Sequence, residues 1–131
     1  MSFYGKTPQM LDDKKRVAIP ARWRDQFDAP AFLTASPDGC IAIYTKLDFE
    51  AASKEVLAVP ASTKDGRDRR RRFFANTHDV AKDSAGRLLI PQQLIEHASL
   101  TRDVVVVGSG EWFEVWDKSA WDEYNADGAG E

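Results

Sequence analysis

Short apolar runs alternate with proline, glycine and polar clusters along most of the chain, a pattern typical of a protein built from short strands. Two pairs of runs flank tight turns, at residues 37–39 (Pro-Asp-Gly) and 108–110 (Gly-Ser-Gly), and predict antiparallel strand pairs. The predicted strands are residues 16–19, 31–36, 40–45, 87–90, 103–107 and 111–116. The pattern therefore indicates a strand-rich mixed α+β protein.

Helices are predicted between these strands. Pro20 and Pro91 end their strands and suit the first position of a helix. Trp23 and Phe27 are four residues apart and give the first of these helices an apolar face, as Leu94 and Ala98 do in the second. Longer helices are predicted for residues 46–58, 64–75 and 118–125.

An internal repeat is the most informative feature of the sequence. Residues 12–20 and 83–91 both have the form Asp-x-x-x-Arg-apolar-apolar-Ile-Pro, at an offset of 71 residues. Residues 43–46 and 115–118 match again at an offset of 72. Two matches in the same order, at nearly the same spacing, indicate a duplication.

The repeat predicts two halves. We expect a first repeat at residues 1–59, a linker and basic helix at 60–77, a second repeat at 78–125 and a disordered tail at 126–131. Residues 8–11 and 78–82 precede the polar turns, and we expect each to form a hairpin with the strand that follows its turn. Halves this small bury little core, so an exchanged hairpin that covers the partner's edge strands is favoured.

Overall composition is that of an ordinary globular protein. Of 131 residues, 43% are hydrophobic and 30% charged, with a net charge of −3. No apolar run approaches the roughly 20 residues of a membrane span, and the start has no signal-peptide pattern, so we expect a cytoplasmic protein without a membrane partner. Cys40 is the single cysteine, which excludes an internal disulfide.

Charge is distributed unevenly. Residues 1–24 carry six basic against two acidic side chains, residues 64–72 carry the same balance, and residues 111–131 carry seven acidic against one basic. Local basic surfaces of this kind can bind phosphate even in an acidic protein. In residues 64–75, Asp65 and Asp68 are spaced to pair with Arg69 and Arg72, so we expect this helix to serve subunit contacts rather than DNA.

Several segments together carry a family resemblance. They are residues 3–5 (Phe-Tyr-Gly), 11–20, 83–91, 71–75 (Arg-x-Phe-Phe-Ala) and 114–116 (Glu-Val-Trp) with Trp121. In this order they resemble the MraZ family, within the broader AbrB/SpoVT swapped-hairpin group, over nearly the whole chain. One departure is Lys15, which stands where the family usually has glycine, whereas Gly86 keeps it. Because lysine adopts positive φ only at a cost, we expect the first turn to be strained or differently shaped.

The resemblance implies both a fold and a function. The implied fold is two tandem swapped-hairpin half-domains that form one pseudo-twofold, double-split β-barrel with short helices. The implied function is that of a nucleoid-associated transcriptional regulator that forms ring-shaped homo-oligomers. It binds repeated double-stranded DNA elements ahead of the division and cell-wall gene cluster, including its own gene, without a cofactor, metal or small-molecule substrate.

Arg16 and Arg87 have two competing interpretations. Their guanidinium groups suit phosphate and guanine edges, but each could instead form a local ion pair with Asp12 or Asp83. The repeat and the resemblance favour DNA binding, and the two aspartates are assigned structural turn roles.

The remaining candidate residues surround these arginines. We expect Lys14 and Lys15 to contact the DNA backbone, with the first turn contributing more than the second because Ser84 and Ala85 are uncharged. Arg22 is an additional DNA-binding candidate on its helix, and Gly86 is assigned a turn role.

Two other function classes compete with DNA binding. An antitoxin-like or scaffold module could use the same fold to bind protein through the acidic C-terminal half. An enzyme has no positive support, because His78 and His97 lie far apart, one cysteine makes no metal pattern, and no glycine-rich phosphate loop is present.

Overall fold

The computed structural model describes residues 2–126. Its strands are β1 (Lys6–Met10), β2 (Arg16–Ala18), β3 (Ala31–Ala35), β4 (Ile41–Tyr44), β5 (Thr77–Val80), β6 (Arg87–Leu89), β7 (Asp103–Gly108) and β8 (Phe113–Asp117). Its helices are a 3₁₀ helix (Ala21–Phe27), α1 (Lys46–Leu57), α2 (Lys64–Phe74), α3 (Gln92–His97) and α4 (Lys118–Ala126). The strand-rich α+β class and the predicted helices are confirmed. The predicted tail, 126–131, lies outside the described residues apart from Ala126, which ends α4.

The main sheet has six antiparallel strands in the order β1-β7-β8-β4-β3-β5. This order is symmetric, because β1, β7 and β8 of one side correspond in the repeat to β5, β3 and β4 of the other. At its centre Ala42 of β4 faces Glu114 of β8, and these two residues are 72 positions apart, the offset of the repeat. A local twofold axis therefore passes between the two central strands.

A second, two-stranded sheet also pairs repeat-equivalent strands. Strands β2 and β6 pair antiparallel, with Val17 directly opposite Leu88, its own repeat equivalent. Hydrogen bonds from Ile19 N–H to the Gly86 carbonyl (2.9 Å) and from Ile90 N–H to the Lys15 carbonyl (2.8 Å) extend the pairing at both ends. We call this two-stranded sheet the ribbon.

The predicted local hairpins are wrong. Strand β1 pairs with β7 of the second half, and β5 pairs with β3 of the first half. An alternating pattern identifies a strand but not its partner, and pairing across the halves covers the edge that each strand pair would otherwise expose. The pairings of residues 2–126 leave β1 and β5 at the two sheet edges, so the predicted barrel closure is not found among them.

Aromatic side chains fill the core between the sheets. Trp23 and Phe27, the predicted apolar face of the 3₁₀ helix, are both buried and pack with Phe3 and Phe113 at ring separations of 5.1–5.9 Å. Burying each such side chain contributes about 1.5–3 kcal/mol. The ribbon is fixed to this core through Val17 and Leu88, which are also buried.

Helices α1 and α2 form a separate layer against β3. The Phe49 ring stacks between those of Phe32 and Phe73, at 4.5 and 5.3 Å. Arg70 donates to the Leu57 and Val59 carbonyls at the end of α1. These contacts pack α2 against α1 and β3 of the same chain.

The charges of α2 pair within the helix, with one change from expectation. Asp65 pairs with Arg69 as predicted, at 3.0 Å. Asp68, however, contacts Lys64 and Arg71 rather than Arg72.

Within residues 2–126 no helix combines the length and apolar character required to cross a bilayer.

Candidate nucleic-acid interface

The first turn, residues 12–15, is organised by Asp12. Its Oδ1 accepts the backbone N–H groups of Lys14 and Arg16, both at 2.9 Å. The Lys15 N–H donates to the Asp12 carbonyl at 2.9 Å, and the Asp12 N–H donates to the Arg16 carbonyl at 3.0 Å. The aspartate thus satisfies donors that the turn itself leaves free.

The second turn, residues 83–86, repeats these contacts. Asp83 Oδ1 accepts from the N–H groups of Ala85 at 3.0 Å and Arg87 at 2.9 Å. The Gly86 N–H donates to the Asp83 carbonyl at 2.9 Å. The two turns therefore have the same hydrogen-bonded shape.

Lys15 keeps this shape in a conformation that favours glycine. Its φ is +64°, and the φ of Gly86, its repeat equivalent, is +78°. The expectation of a differently shaped first turn is therefore wrong, whereas the expectation of strain agrees with the positive φ. A side chain in the left-handed region costs roughly 1–2 kcal/mol relative to the right-handed one.

Arg16 and Arg87 meet the two aspartates in a four-membered ion-pair cluster. Each arginine Nε donates to the carboxylate of its own turn at 2.8 Å, Arg16 to Asp12 and Arg87 to Asp83. Each Nη1 lies 3.8 Å from the carboxylate of the opposite turn. The local ion pair that competes with DNA binding is thus present, and the four charges balance.

The cluster keeps both aspartates ionised. Desolvation opposes ionisation of Asp12, but hydrogen bonds from the backbone N–H and guanidinium of Arg16 and from the Lys14 N–H outweigh it and lower its pKa. The Arg87 backbone N–H is the largest influence on Asp83 and, with the Arg87 guanidinium and the Ala85 N–H, lowers the pKa of that carboxyl. Both carboxylates therefore hold their arginines at neutral pH.

The cluster lies on the outer face of the ribbon. Val17 and Leu88 point into the core, so their strand neighbours point outward. The outer face consists of Arg16, Ala18, Arg87 and Leu89, of which Leu89 is 56% exposed. The arginine side chains are 25% and 35% exposed, so both remain accessible beside their aspartates.

The other predicted contact residues surround this face unequally. Lys14 and Lys15 are exposed on the first turn. The Arg22 guanidinium lies over the Trp23 ring at 4.5 Å and donates to the Tyr4 carbonyl at 3.3 Å. Arg22 is thus held by the 3₁₀ helix and the N-terminal segment, while the two lysines are exposed on the turn.

Arg24 is a basic residue near the ribbon that the repeat does not single out. Its Nε donates to the Ile19 carbonyl at 2.8 Å, and its side chain covers Gly86. The sequence gives no signal for this placement, because the residue at the repeat position of Arg24 is the apolar Ile95.

Within residues 2–126, no three histidine, cysteine, aspartate or glutamate side chains come together in a way that could hold a metal ion. Cys40 is buried, and burial, together with the charge of Glu114, raises the pKa of its thiol to about 12. That thiol is therefore protonated at neutral pH and is not an activated nucleophile.

Comparison with known proteins identifies the family. A family model described as "MraZ protein, putative antitoxin-like" matches residues 2–72 and again residues 73–129. The chain belongs to the MraZ family. The model matches the chain twice in succession, and the resemblance drawn from the motifs is confirmed.

Curated MraZ relatives cover almost the same length. The chain is 36% identical over 125 residues to the protein named transcriptional regulator MraZ of Salinispora tropica, covering 95% of this chain and 88% of the relative. The protein of the same name from Acetivibrio thermocellus is 38% identical, with 95% and 87% covered. That of Clostridium acetobutylicum is 32% identical, with 94% and 87% covered. The MraZ similarity therefore extends over both halves.

Proposed function

We propose that this protein is a sequence-specific DNA-binding transcriptional regulator that places the outer face of the ribbon in the major groove. The observation that carries the proposal is the ribbon itself, on which two repeat-related arginines share one exposed face. A major groove about 12 Å wide admits a two-stranded ribbon. Three-residue strands are about 10 Å long, so the outer face of β2 and β6 fits within it.

The ion-pair cluster supports this function rather than competing with it. Asp12 and Asp83 occupy the Nε atoms and fix the direction of each guanidinium, while the side chains stay partly exposed. A guanidinium held by a second group loses less conformational entropy when it binds a guanine edge. Arg16 and Arg87 are therefore positioned to contact bases.

Phosphate contacts come from outside the cluster. Because the cluster is balanced in charge, the attraction for DNA depends on cations such as Lys14 and Lys15, with Arg22 farther along the chain. Asp13 is the acidic neighbour of these lysines, and the second turn has the uncharged Ser84, Ala85 and Gly86 at the three corresponding positions. Of the two turns, the first therefore contributes more to the attraction for phosphate.

The family supports the biological setting. The relatives named transcriptional regulator MraZ support the proposed role in transcription, and the motif resemblance implies a ring-shaped homo-oligomer in the cytoplasm, associated with the nucleoid. Its targets are repeated elements ahead of the division and cell-wall gene cluster, its own gene included. Repeated subunits on repeated sites multiply a modest affinity per subunit.

The exchange of β1 and β5 between the halves supports a swapped-hairpin fold.

The test is a titration of the full chain with a fluorescent duplex taken from directly upstream of its own coding sequence. We expect tighter binding than to a scrambled duplex, and a steep loss of affinity between about 50 and 200 mM salt. Equal binding to both duplexes would contradict sequence specificity. Absence of salt-dependent binding would favour the alternative of an antitoxin-like or scaffold module that binds protein.

A further inference from the structure

The side chain of Arg24, from the 3₁₀ helix, lies against Gly86 in the second turn. A Cβ added to Gly86 would lie 2.5 Å from Nε and 2.6 Å from Cδ of Arg24. Arg24 therefore occupies the space in which a side chain at position 86 would begin. Gly86 is buried beneath it.

In the first turn, the side chain of Lys15 itself begins at the equivalent position. Lys15 has the same hydrogen bonds and nearly the same φ as Gly86, so its Cβ projects from the turn in the equivalent direction. Each turn of the ribbon thus has one long basic side chain at this position. In the first turn it is Lys15 itself, and in the second it is Arg24, which reaches over from the 3₁₀ helix of the first half.

The Arg24 guanidinium is anchored at one end and free at the other. Nε donates to the Ile19 carbonyl, at the end of β2. Nη1 and Nη2 make no hydrogen bond within residues 2–126, and Arg24 as a whole is half-buried, so its guanidinium keeps donors available to a ligand. A residue that only closed the turn over Gly86 would need no charge at its tip.

We propose that Arg24 is a DNA-contacting residue that gives the second turn the phosphate contact which Lys15 gives the first. The inference rests on the proposed function and extends it. The ribbon then has a basic side chain at the turn on each of its ends, although the sequence repeat encodes basic turn residues only in its first copy. Lys15 precedes Arg16 in the chain, and Arg24 covers Gly86, which precedes Arg87.

The test compares Arg24→Gln with Lys15→Gln in the upstream-duplex titration, repeated over a range of salt concentrations. Each variant should lower the slope of log affinity against log salt by about 1, and at 0.1 M salt each should weaken binding by about tenfold per subunit. Arg24→Lys should keep the slope, because charge rather than the bond to Ile19 makes the contact. Arg67→Gln is the matched control, since Arg67 is exposed on α2 and donates to the Ala61 carbonyl; its slope should not change.

The outcomes separate this inference from the proposed function. Wild-type protein without salt-dependent binding would remove the proposed function and this inference with it. Wild-type binding with an unchanged slope in a folded Arg24→Gln variant would overturn the role of Arg24 alone. If Arg24→Gln melts below the assay temperature, Arg24→Met decides the question, because it keeps an aliphatic side chain over Gly86 without the charge: a slope lowered by about 1 in the folded variant supports the contact, and an unchanged slope contradicts it.

Discussion

Val17 and Leu88 face each other across the ribbon, and each is the repeat equivalent of the other. Ala42 and Glu114 are paired in the same repeat-related way at the centre of the main sheet. Both side chains are buried, at 3% and 1% exposure, so the ribbon depends on them for its attachment to the core. The arrangement brings the two Asp-x-x-x-Arg motifs together although 71 residues separate them.

The first prediction concerns this attachment. Leu88→Ala should lower the free energy of unfolding by about 2–5 kcal/mol, because it removes buried methyl groups and leaves a cavity under the ribbon. Leu89→Ala is the control on the same strand, and its 56% exposed side chain should cost little. Urea denaturation of both variants measures the difference, and equal destabilisation would show that the ribbon is not held through its inner face.

The second prediction concerns strain in the first turn. Lys15→Gly should raise the free energy of unfolding by about 0.5–1 kcal/mol, since relief of the left-handed conformation exceeds the entropy that glycine loses on folding. The same change should weaken DNA binding because a cation is lost. Denaturation and titration of one preparation would test both effects, and a destabilised Lys15→Gly protein would contradict the strain.

Much of the candidate site can be predicted from the sequence repeat. The shared Asp-x-x-x-Arg-apolar-apolar-Ile-Pro pattern predicts equivalent turns and strands, and the spacing of Trp23 and Phe27 predicts which face of their helix is buried. The partners of β1 and β5 could not be predicted, because period-two patterning carries no information about which distant strand completes the sheet. The placement of Arg24 could not be predicted for a related reason: its position over Gly86 arises from contact between halves, and its repeat equivalent is Ile95.

The third prediction concerns the loss of folding stability at acid pH. Asp12 and Asp83 have lowered pKa values in the folded protein, so the stability they contribute is present above their ordinary pKa of 3.8 and is lost as pH falls through the lower folded values. An Asp12→Asn, Asp83→Asn protein should be less stable at neutral pH and should lose less of its remaining stability on acidification. Urea midpoints of both proteins at pH 7 and below pH 4 provide the comparison. Equal losses of stability on acidification in the two proteins would mean that other carboxyl groups determine the acid sensitivity.

The fourth prediction concerns Arg16. Arg16→Ala should weaken binding to the upstream duplex by roughly 1–3 kcal/mol and reduce the preference over a scrambled duplex, because a base contact is removed. Neutralising Lys14 should weaken binding to both duplexes alike. A thermal melt and a sizing experiment accompany the titration, since loss of assembly together with affinity would favour a purely structural pairing of Arg16 with Asp12.

The central claim is that the outer face of the ribbon lies against DNA, and site-specific photocrosslinking tests it most directly. A benzophenone amino acid at Leu89, which faces Arg16 across the ribbon, is compared with the same group at Leu47 on α1, where the native side chain is 77% exposed. On irradiation with the upstream duplex, position 89 should form covalent adducts with DNA and position 47 should not. Adducts from position 47 with none from position 89, in protein that still binds the duplex, would contradict the account.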